Sequence, residues 1–493
     1  MTANYSRTTL FIGGDWVPAL SGASIPVISP FTEQVIATVP RASLADVDAA
    51  VAAARRAFDT GPWPRLPVAE RVAALRRLRD VMARRAEEVA QAITAEMGSP
   101  ITQSRTIQAA VPLRMLDEHC QIALEEYPWS ELRRSPSGNA LVRRYPKGVA
   151  ALITPWNAPM MTTIQKLGPA LLAGCTVVLK PASLAPLSAY LLGELVAEAG
   201  LPPGVVNVIT CDRIEAEYLV THPGVDKVTF TGSTAAGRHL ASKCGALLKP
   251  ITLELGGKSA GIILDDADLA ATVESLRLLS FRNSGQICTL KTRILVSRRR
   301  EAEAVEAMAA MVRAMPVGDP LDPATHIGPM VSEKQRENVA RYIDIGMAEG
   351  ASVAAGGPGR PDGLNHGWFV RPTLFSGVDA DSRLAQEEIF GPVIAVIPYD
   401  TEDEAIAIAN NSVYGLSGSV FSQDIARAVA LADKVKTGVL EINGAPFGFH
   451  APFGGVKESG IGRESGREGF EPYVELKSIG IPAAYADTLG NAG

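Results

Sequence analysis

Short apolar runs alternate with helical patterns along residues 148–257. Five runs predict strands, and helices are predicted between them at 188–199 and 235–244. The predicted strands are VAALIT (149–154), TVVLKP (176–181), VVNVIT (205–210), KVTFTG (227–232) and ITLELGG (251–257). Strands that are apolar on both faces and separated by helices indicate a parallel sheet covered on both sides. The pattern therefore predicts one α/β unit of the nucleotide-binding type.

The same alternation returns after residue 290. The predicted strands are TRILVS (292–297), VIAVIPYD (393–400), SGSVFS (417–422) and GVLEIN (438–443), and the predicted helices are 301–315, 402–410 and 425–435. This set indicates a second α/β unit in its own right. The predicted fold class is accordingly α/β.

The remaining elements lie outside both units. One helix is predicted at 43–58, capped by Ser43, and a longer one at 68–97, which a glycine and a proline end. Glu131–Pro146 and Tyr473–Ile481 fit neither unit. Both stretches are predicted to be strands that project from the body and pair elsewhere.

Composition and charge narrow the class of protein. The 493 residues suggest about three structural units at about 150 residues each. A net charge of −6 argues against nucleic acid as a partner, because such proteins usually carry a basic excess on one face. The N-terminus has no pattern of a secretory signal, and no uncharged segment is long and apolar enough to cross a membrane.

Cysteine and histidine usage bears on redox state and metal chemistry. Five cysteines without a C-x-x-C pair are poor material for a disulfide framework or a zinc site and predict a reducing cytoplasm. Six scattered histidines without an H-E-x-x-H motif give no support to metal catalysis, so no metal is predicted. One of the cysteines is left free to act as a nucleophile.

Two glycine-rich matches are misleading. GKSAG (257–261) matches the G-x-S-x-G elbow of serine hydrolases, but that elbow joins a strand to a helix, whereas here the strand-like run GIILDD follows. GGKS resembles the end of a P-loop, but the first glycine of that motif would fall at Thr252. No strict G-x-G-x-x-G occurs. Either a dinucleotide binds without that loop, or the sheet serves another ligand.

Four segments carry candidate chemistry at predicted strand or helix ends. Cys288 follows a Ser-Gly turn, Glu254 ends a strand against two glycines, and Asn157 ends another strand in the proline-framed turn TPWNAP. FTGSTAAGR (230–238) places a Gly-Ser-Thr turn at a helix start, where free N–H groups can meet a phosphate. A lone cysteine is usually a small buried hydrophobe. Here the strand ends of an open α/β sheet share one crevice, and this favours a common site.

These residue types suit one reaction. A thiolate attacks a carbonyl, an amide donor stabilises the oxyanion, and a hydride leaves to a nicotinamide. A carboxylate then activates water to hydrolyse the thioester. An oxyanion donor is typically worth about 3 kcal/mol of barrier, so Asn157 would be a major contributor.

The chain as a whole resembles the aldehyde dehydrogenase superfamily of NAD(P)-dependent enzymes. The likeness runs from about Phe11 to Ile481, and the family's motifs occur in order. They are TPWNAP, VVLKPAS, GLPPGVVNVI, FTGSTAAGR, LELGGKSA, GQICTLKTR, QEEIFGPV and PFGGVKESGIGRE. The resemblance also accounts for the missing glycine fingerprint, because this family binds its dinucleotide on a variant Rossmann unit without it.

The resemblance implies catalytic roles for five residues. Cys288 would be the nucleophile and Glu254 the general base, while Asn157 and the backbone N–H of Cys288 would form the oxyanion hole. Lys166 and Glu464 lie where the family sometimes places proton-relay groups, although an ordinary salt bridge explains them equally well.

The resemblance also implies a cofactor site for NAD, with NADP left open. Lys180 would hold the adenosine ribose, Ser233 the pyrophosphate, and Glu388 and Phe390 the nicotinamide ribose and ring. The full implied set is Thr154, Pro155, Trp156, Lys180, Ser183, Gly232, Ser233, Leu255, Glu388 and Phe390.

Two departures from the family pattern concern the adenosine end of that site. NAD-preferring members often carry a glutamate three residues after the lysine, whereas here the residue is Ser183. A glutamate would repel a 2′-phosphate and a serine would not, so NAD is favoured and NADP is not excluded. After NVIT, many relatives have a glycine-rich loop where this chain has CDRIEAE (211–217). Arg213 in that segment could attract a phosphate or face solvent, and the solvent-facing interpretation is favoured.

The resemblance implies a substrate tunnel, and its residues are assigned by their positions in the sequence alone. Its residues would be Ala158, Thr162, Gln165, Ile287, Thr289, Phe447 and Phe453. A small residue in one wall with aromatic residues opposite suggests a roomy, mostly apolar tunnel. No arginine is placed by the sequence to meet a substrate carboxylate. The expected substrate is a medium-to-large hydrophobic or aromatic aldehyde.

The implied architecture has three parts. They are a variant Rossmann cofactor domain (1–130 and 147–257), a catalytic α/β domain (258–457) and a small β oligomerisation element (131–146 and 470–493). Because an exposed strand edge is a liability unless paired, a homodimer or homotetramer is expected. Two rivals are a CoA-acylating enzyme, against which Glu254 argues, and a non-enzymatic scaffold, against which Cys288 argues.

Overall fold

An eight-stranded sheet forms one half of the body. The structure, a computed structural model, describes residues 5–490, and its strands and helices are numbered along the chain. From edge to edge the strands of this sheet are β19 (Gly460–Ile461), β11 (Ile251–Glu254), β10 (Lys227–Thr231), β7 (Val149–Ile153), β8 (Thr176–Lys180), β9 (Val206–Val208), β1 (Thr9–Ile12) and β2 (Asp15–Pro18). β7 to β11 run parallel. Every residue of β7 is buried, as expected for a strand covered on both faces.

The register of this sheet gathers strand ends at one edge. Ile153 pairs with Lys180 on one side and with Phe230 on the other, and Thr231 pairs with Glu254. The strand order reverses between β7 and β10, since β8 and β9 extend one way and β11 the other. A ligand crevice is expected beyond the carboxyl ends at such a switch point.

A seven-stranded sheet forms the other half. Its strands, from edge to edge, are β14 (Ser352–Ala355), β15 (Thr373–Ser376), β16 (Val393–Tyr399), β13 (Lys291–Ser297), β12 (Ser259–Ile263), β17 (Gly418–Phe421) and β18 (Glu441–Ile442). Only β14 is antiparallel to its neighbour. Ser259 begins β12, which follows β11 without an intervening helix, so the hydrolase elbow is absent. The two sheets confirm the α/β fold class.

A small third sheet joins two distant parts of the chain. Its strands are β20 (Val474–Ile481), β6 (Gly138–Pro146) and β5 (Ser130–Ser135), all antiparallel. The two stretches that fit neither α/β unit therefore pair with each other. A separate hairpin is made by β3 (Ser24–Ile28) and β4 (Val35–Pro40).

Helices cover the two large sheets. They are α1 (Leu44–Asp59), α2 (Val68–Arg84), α3 (Ala86–Met97), α4 (Ile101–Gln103), α5 (Ala110–Gln121), α6 (Pro159–Ala173), α7 (Leu187–Glu198), α8 (Arg213–Thr221), α9 (Thr234–Ala246), α10 (Leu269–Phe281), α11 (Glu301–Arg313), α12 (Glu333–Ala348), α13 (Arg383–Gln386), α14 (Glu402–Asn410), α15 (Ile425–Ala432) and α16 (Ala483–Gly490). Ser43 caps α1 in a reciprocal capping box with Asp46, as its sequence predicts. No helix within residues 5–490 is long and apolar enough to span a lipid bilayer.

Three predicted elements differ from the structure. The single helix predicted at 68–97 is wrong, because the chain leaves helical geometry at Arg85, whose guanidinium bonds Glu88 and Glu194. The strand predicted at 438–443 shrinks to β18, and the one at 205–210 shrinks to β9.

Candidate active site

A cleft of about 290 Å³ opens at the switch point of the eight-stranded sheet. It brings together residues from both sheets, including nine that the sequence predicted for the site. Its lining is Pro155, Trp156, Asn157, Thr231, Gly232, Ser233, Leu255, Gly256, Cys288, Gln335, Asn338, Glu388, Ile389 and Phe390. The predicted nucleophile, the amide and the phosphate turn thus share one cleft.

Asn157 is buried and held from two sides. Its backbone carbonyl accepts the side-chain amides of Gln108 and Asn283, each at 3.0 Å. Its own Nδ2 donates to the carbonyl of Gln286 at 2.9 Å. Because an amide nitrogen carries two hydrogens, one N–H stays available for a further acceptor. The turn after β7 is thereby fastened to the segment that carries Cys288.

The nucleophile loop, residues 282–288, has an unusual backbone. Asn283, Ser284 and Gly285 are all left-handed, with φ of 52°, 58° and 77°. Asn283 donates its N–H to Gln103 at 2.7 Å, and Ser284 exchanges hydrogen bonds with the backbone of Gly328 at 2.9 and 3.0 Å. Non-glycine residues in this region are strained, so these bonds hold a conformation that the chain would not keep alone.

Cys288 is the one cysteine of the five that is partly exposed. Burial of the sulfur raises the pKa of its thiol to about 12, and the carboxylates of Glu388 and Glu254 raise it further. The backbone N–H of Cys288 and the guanidinium of Arg282 oppose this shift. The resting thiol is therefore protonated near neutral pH, and its attack requires a proton acceptor.

Glu254 ends β11 as a buried carboxylate without a protein partner. It is 3% exposed, and neither carboxylate oxygen accepts a hydrogen bond within residues 5–490. Burial raises the pKa of this group well above its ordinary value, and the negative charge of Glu464 adds to the rise. A Cβ on Gly454 would lie 2.7 Å from Oε1, so only glycine fits beside it. Such an orphaned carboxylate suits proton transfer with water or substrate.

Lys166 and Glu464 form a buried ion pair beside that carboxylate. Neither side chain is more than 5% exposed. Thr229 Oγ1 also donates to Glu464, at 3.3 Å. Lys166 lowers and Glu464 raises the pKa of Glu254, so the pair acts on the carboxylate electrostatically.

Glu388 and Phe390 lie across the cleft from the sheet edge. Glu388 accepts the N–H of Gly257 at 2.9 Å, and burial raises the pKa of its carboxyl to about 7. Phe390 is left-handed, with φ of 59°, and Gln335 donates to its carbonyl at 2.8 Å. Its ring meets Trp156 edge-on at 5.4 Å between centroids. A Cβ on Gly256 would meet Glu388 at 2.5 Å, which accounts for one of the two glycines after Glu254.

The phosphate turn lies at the start of α9. Ser233 caps this 13-residue helix, and its side chain accepts the N–H of Ala236 at 3.4 Å. A Cβ on Gly232 would lie 2.4 Å from the ring of Phe230, so the backbone is bare on this side of the cleft. Free N–H groups, a bare backbone and the partly exposed Glu388 fit the pyrophosphate and ribose of a dinucleotide.

Three predicted cofactor residues lie outside the cleft lining. Thr154 is buried behind it, and Lys180 ends β8. Burial lowers the pKa of the Lys180 ammonium. Ser183 donates its hydroxyl to the carbonyl of Cys211 at 3.2 Å. These residues lie at the carboxyl ends of β7 and β8, where the cleft would continue.

The predicted substrate residues divide into groups. Ala158 and Ile287 line a narrow cavity of about 10 Å³, enough for one water molecule. Thr162 and Gln165 are buried on α6 and do not line this cavity, nor does Thr289 beside the nucleophile. The rings of Phe447 and Phe453 stack at 6.4 Å in a separate cluster, also outside it.

Several lining residues carried no sequence signal. Gln335 and Asn338 on α12 both bond the backbone before Phe390, and no motif marks their helix. Arg282 lines the narrow cavity and is partly exposed, and its guanidinium makes no hydrogen bond or ion pair within residues 5–490. Arg282 thus lies near two of the predicted substrate residues, although the sequence placed no arginine to meet a substrate carboxylate. The position of Arg282 two residues before the Ser-Gly turn, close to the candidate nucleophile, is the sequence signal that could have identified it.

Comparisons with known proteins agree with this geometry. A sequence model described as the aldehyde dehydrogenase family matches residues 16–479. A geranial dehydrogenase of Castellaniella defragrans is 47% identical over 95% of this chain and 98% of its own. A Mycobacterium tuberculosis aldehyde dehydrogenase, solved with NAD+, is 46% identical at a TM-score of 0.96, covering 98% of this chain and 100% of that one.

A further solved relative carries both a cofactor and an aldehyde. This variant of aldehyde dehydrogenase C from Pseudomonas syringae, complexed with NAD+ and octanal, is 42% identical at a TM-score of 0.93 and covers 97% of this chain and 98% of that one. The match over nearly the whole length, in sequence and in fold, leaves a single conclusion. The chain belongs to the aldehyde dehydrogenase family and is an oxidoreductase that acts on an aldehyde group.

Proposed function

We propose that this enzyme oxidises a medium-to-large hydrophobic or aromatic aldehyde to the carboxylic acid through a thioester on Cys288. The observation that carries the proposal is the pairing of Glu254 with Cys288. One is a buried carboxylate with no hydrogen-bond partner, and the other is the partly exposed cysteine whose pKa that carboxylate raises. Glu254 lies behind the residues that line the cleft, at the end of β11, and its charge acts on the thiol of Cys288. A buried base and a nucleophile that interact in this way are the two groups that the reaction needs.

The cofactor of this reaction is NAD. When bound, it accepts the hydride that leaves the aldehyde carbon. The N-terminus of α9 with Gly232 and Ser233 would hold the pyrophosphate, and Glu388 and Phe390 the nicotinamide ribose and ring. Both solved relatives described above contain NAD+.

The first step would add the Cys288 sulfur to the aldehyde carbonyl. The thiol proton would pass to water in the cleft, because a thiol with a pKa of about 12 is largely protonated near neutral pH, and this is the proton that the overall oxidation releases. The remaining N–H of the Asn157 amide and the backbone N–H of Cys288 would meet the oxyanion. Preorganised donors of this kind act on developing charge without reorganisation.

Water would then hydrolyse the thioester that remains after hydride loss. Glu254 would take a proton from the water, and its raised pKa favours proton acceptance. The hydroxide adds to the acyl carbon, the carbon–sulfur bond breaks, and the acid leaves while sulfur regains a proton. The proton held by Glu254 would return to the sulfur, and the buried Lys166–Glu464 pair would modulate the pKa of that carboxylate during the transfer.

The substrate class rests on the apolar wall beside the nucleophile. Ala158, Ile287 and Leu290 form a small buried cluster against which Met161 packs. Relatives point the same way, since one is named for geranial, one was solved with octanal, and one of 43% identity is named a 3-succinoylsemialdehyde-pyridine dehydrogenase. Arg282 in the same wall supplies the one charged group that a carboxylate-bearing substrate could meet.

The test compares three aldehydes with NAD. We expect kcat/KM for octanal and benzaldehyde to exceed that for a short carboxylated semialdehyde, measured by absorbance of the reduced nicotinamide. A higher value for the semialdehyde would replace the proposed class with one that Arg282 recognises. Product analysis should find free acid, whereas a CoA thioester formed only with added CoA would contradict hydrolysis through Glu254.

Three expectations about the whole protein remain proposals. We infer a homodimer or homotetramer, supported by the projecting three-stranded sheet with its free edges. We infer the domain division 1–130 with 147–257, then 258–457, then 131–146 with 470–493. We also infer a cytoplasmic location, supported by five cysteines without a disulfide. Light scattering and limited proteolysis test the first two.

A further inference from the structure

The segment after β9 approaches the adenosine end of the proposed cofactor site. Val208 on β9 pairs with Leu179 on β8, so the two strands end side by side. Beyond them, Ser183 Oγ donates to the carbonyl of Cys211 at 3.2 Å and lies 3.5 Å from Oδ1 of Asp212. The CDRIEAE segment, which departs from the family's glycine-rich pattern, thus places a carboxylate next to Ser183.

A dinucleotide needs an acceptor at this position. In doubly wound folds an acidic residue takes the hydroxyls of the adenosine ribose, and an arginine takes the 2′-phosphate of NADP. Ser183 carries no charge. Lys180, at the end of β8, offers an ammonium that makes no hydrogen bond or ion pair within residues 5–490, although Asp212 acts on it electrostatically. A free donor and a nearby carboxylate together match a ribose diol.

The position of Asp212 is fixed by the cap of α8. It begins α8 in a capping box with Glu215, whose side chain accepts the N–H of Asp212 at 3.2 Å. Its carboxylate remains about half exposed, at 48%, so an acceptor face is open to a ligand. The backbone cap fixes the position without consuming the whole carboxylate.

Arg41, the arginine next to Asp212, is not available to bind a phosphate. Arg41 bonds Glu215 at 2.8 Å and Asp212 at 3.2 Å, so two carboxylates offset its charge. A 2′-phosphate, with about two negative charges, would have to approach both carboxylates. The hydroxyls of an unphosphorylated ribose carry no charge, so the two carboxylates do not repel them.

We propose that Asp212 replaces the missing glutamate of the cofactor site, binds the adenosine ribose, and makes this enzyme select NAD over NADP. This inference rests on the proposed use of a dinucleotide. Asp212 is a specificity residue at the end remote from the chemistry, and the chain compensates for Ser183 with a carboxylate from another strand.

The experiment measures binding of NAD and NADP by calorimetry to wild type, Asp212→Asn and a control. Asparagine keeps the helix cap, so the fold should persist. We expect wild type to bind NAD at least about tenfold tighter than NADP, and Asp212→Asn to lose about tenfold in NAD affinity, the change expected for one charge-assisted hydrogen bond. The control, Glu217→Gln, removes an exposed carboxylate of the same helix that pairs with His239 and Lys243, and should leave both affinities unchanged.

The outcomes separate this inference from the proposed function. Equal affinity of wild type for the two dinucleotides, or an unchanged ratio in Asp212→Asn, overturns the role of Asp212 while leaving the enzyme assignment intact. Failure of wild type to bind either dinucleotide overturns the proposed cofactor itself. A ratio shifted toward NADP in Asp212→Asn alone supports the inference.

Discussion

Two loops that the family resemblance associates with the reaction, one carrying Cys288 and the other Phe447, are built differently. The nucleophile loop, residues 282–288, is largely buried, and Gln103, Ser284 and Gln286 bond it to surrounding backbone. The mouth loop, residues 443–450, is mostly exposed, with Phe447 at 39%. Its outer end meets the body chiefly through Glu118, which accepts the N–H of Phe449 at 3.2 Å.

The difference in anchoring indicates that the first loop serves the chemical step and the second loop serves substrate selection. A nucleophile must stay within a fraction of an ångström of its productive geometry, so the bonds that strain the nucleophile loop also fix it. A loop that only guides an apolar substrate needs an apolar surface and tolerates small shifts in its position. Substitutions in the first loop should therefore change kcat sharply, whereas those in the second should change substrate preference mildly.

The largest expected effect comes from Cys288→Ala. Removing the sulfur removes the covalent step, so activity should fall by at least about ten thousandfold while NAD binding persists. Nicotinamide absorbance and calorimetry measure the two properties. Cys244→Ala, at a buried cysteine of α9, is the matched control and should keep most of the activity. Turnover that survives in Cys288→Ala would end the proposed mechanism.

Glu254→Gln should come next, with a loss of about a thousandfold in steady-state turnover. Since the base acts after hydride transfer, a rapid burst of about one reduced cofactor per site should precede the slow phase. Stopped-flow absorbance resolves the burst. The control is Glu96→Gln, another buried glutamate, whose carboxylate caps α7 by accepting the N–H groups of Leu187 and Ser188. It should lower Tm without producing a burst, and a burst in both variants would refute the assignment.

The pH dependence tests the electrostatics of the nucleophile loop. Both the thiol of Cys288 and the carboxyl of Glu254 have raised pKa values and must lose a proton to act. The active forms accordingly increase as pH rises and disappear as it falls. Between about pH 6 and about pH 9, kcat/KM should rise by up to about tenfold per pH unit as the thiol ionises, and kcat should rise as the carboxyl of Glu254 ionises. A profile that is flat or declines across this range would show that neither group limits the rate.

Ser284→Ala should produce a smaller loss, about tenfold in kcat. The change leaves a buried N–H of Gly328 without its acceptor and loosens the left-handed backbone. NAD affinity should not change, because the residue positions the nucleophile and not the cofactor. Ser280→Ala removes another buried serine, which bonds the carbonyl of Lys291 at 2.7 Å, and provides the comparison. Equal losses in kcat for the two variants would argue against a positioning role.

Phe447→Ala should have the smallest effect. An exposed side chain away from caps and cavities usually alters stability by less than about 0.5 kcal/mol, so Tm should shift little and kcat should change by about twofold or less. The KM for a long-chain aldehyde should rise more than that for a short one if the ring guides substrate. A large drop in kcat would mean that the mouth loop takes part in the chemistry, which would erase the contrast between the loops.

Much of the site was predictable because its residues follow local patterns. Glu254 ends an apolar strand before two glycines, Asn157 lies in the proline-framed turn after another strand, and Ser233 caps a helix, so the sequence predicts their shared edge of the sheet. Gln335 and Asn338 have no such signal, because their role depends on the backbone near Phe390, some 50 residues away. A contact between residues that are far apart in the chain produces no periodic pattern in the sequence.

The sequence by itself determined the alternation of strands and helices, the capping of α1, and the motifs that carry the thiol, carboxylate and amide. Neighbouring residues encode these features, since side-chain periodicity and caps act over a few positions. Only the tertiary structure decided that Arg85 would break a helix, that Asn283 and Ser284 would be left-handed, and that Glu254 would be desolvated and unpartnered. Burial depends on which remote segments pack around a group, and a pKa follows the burial.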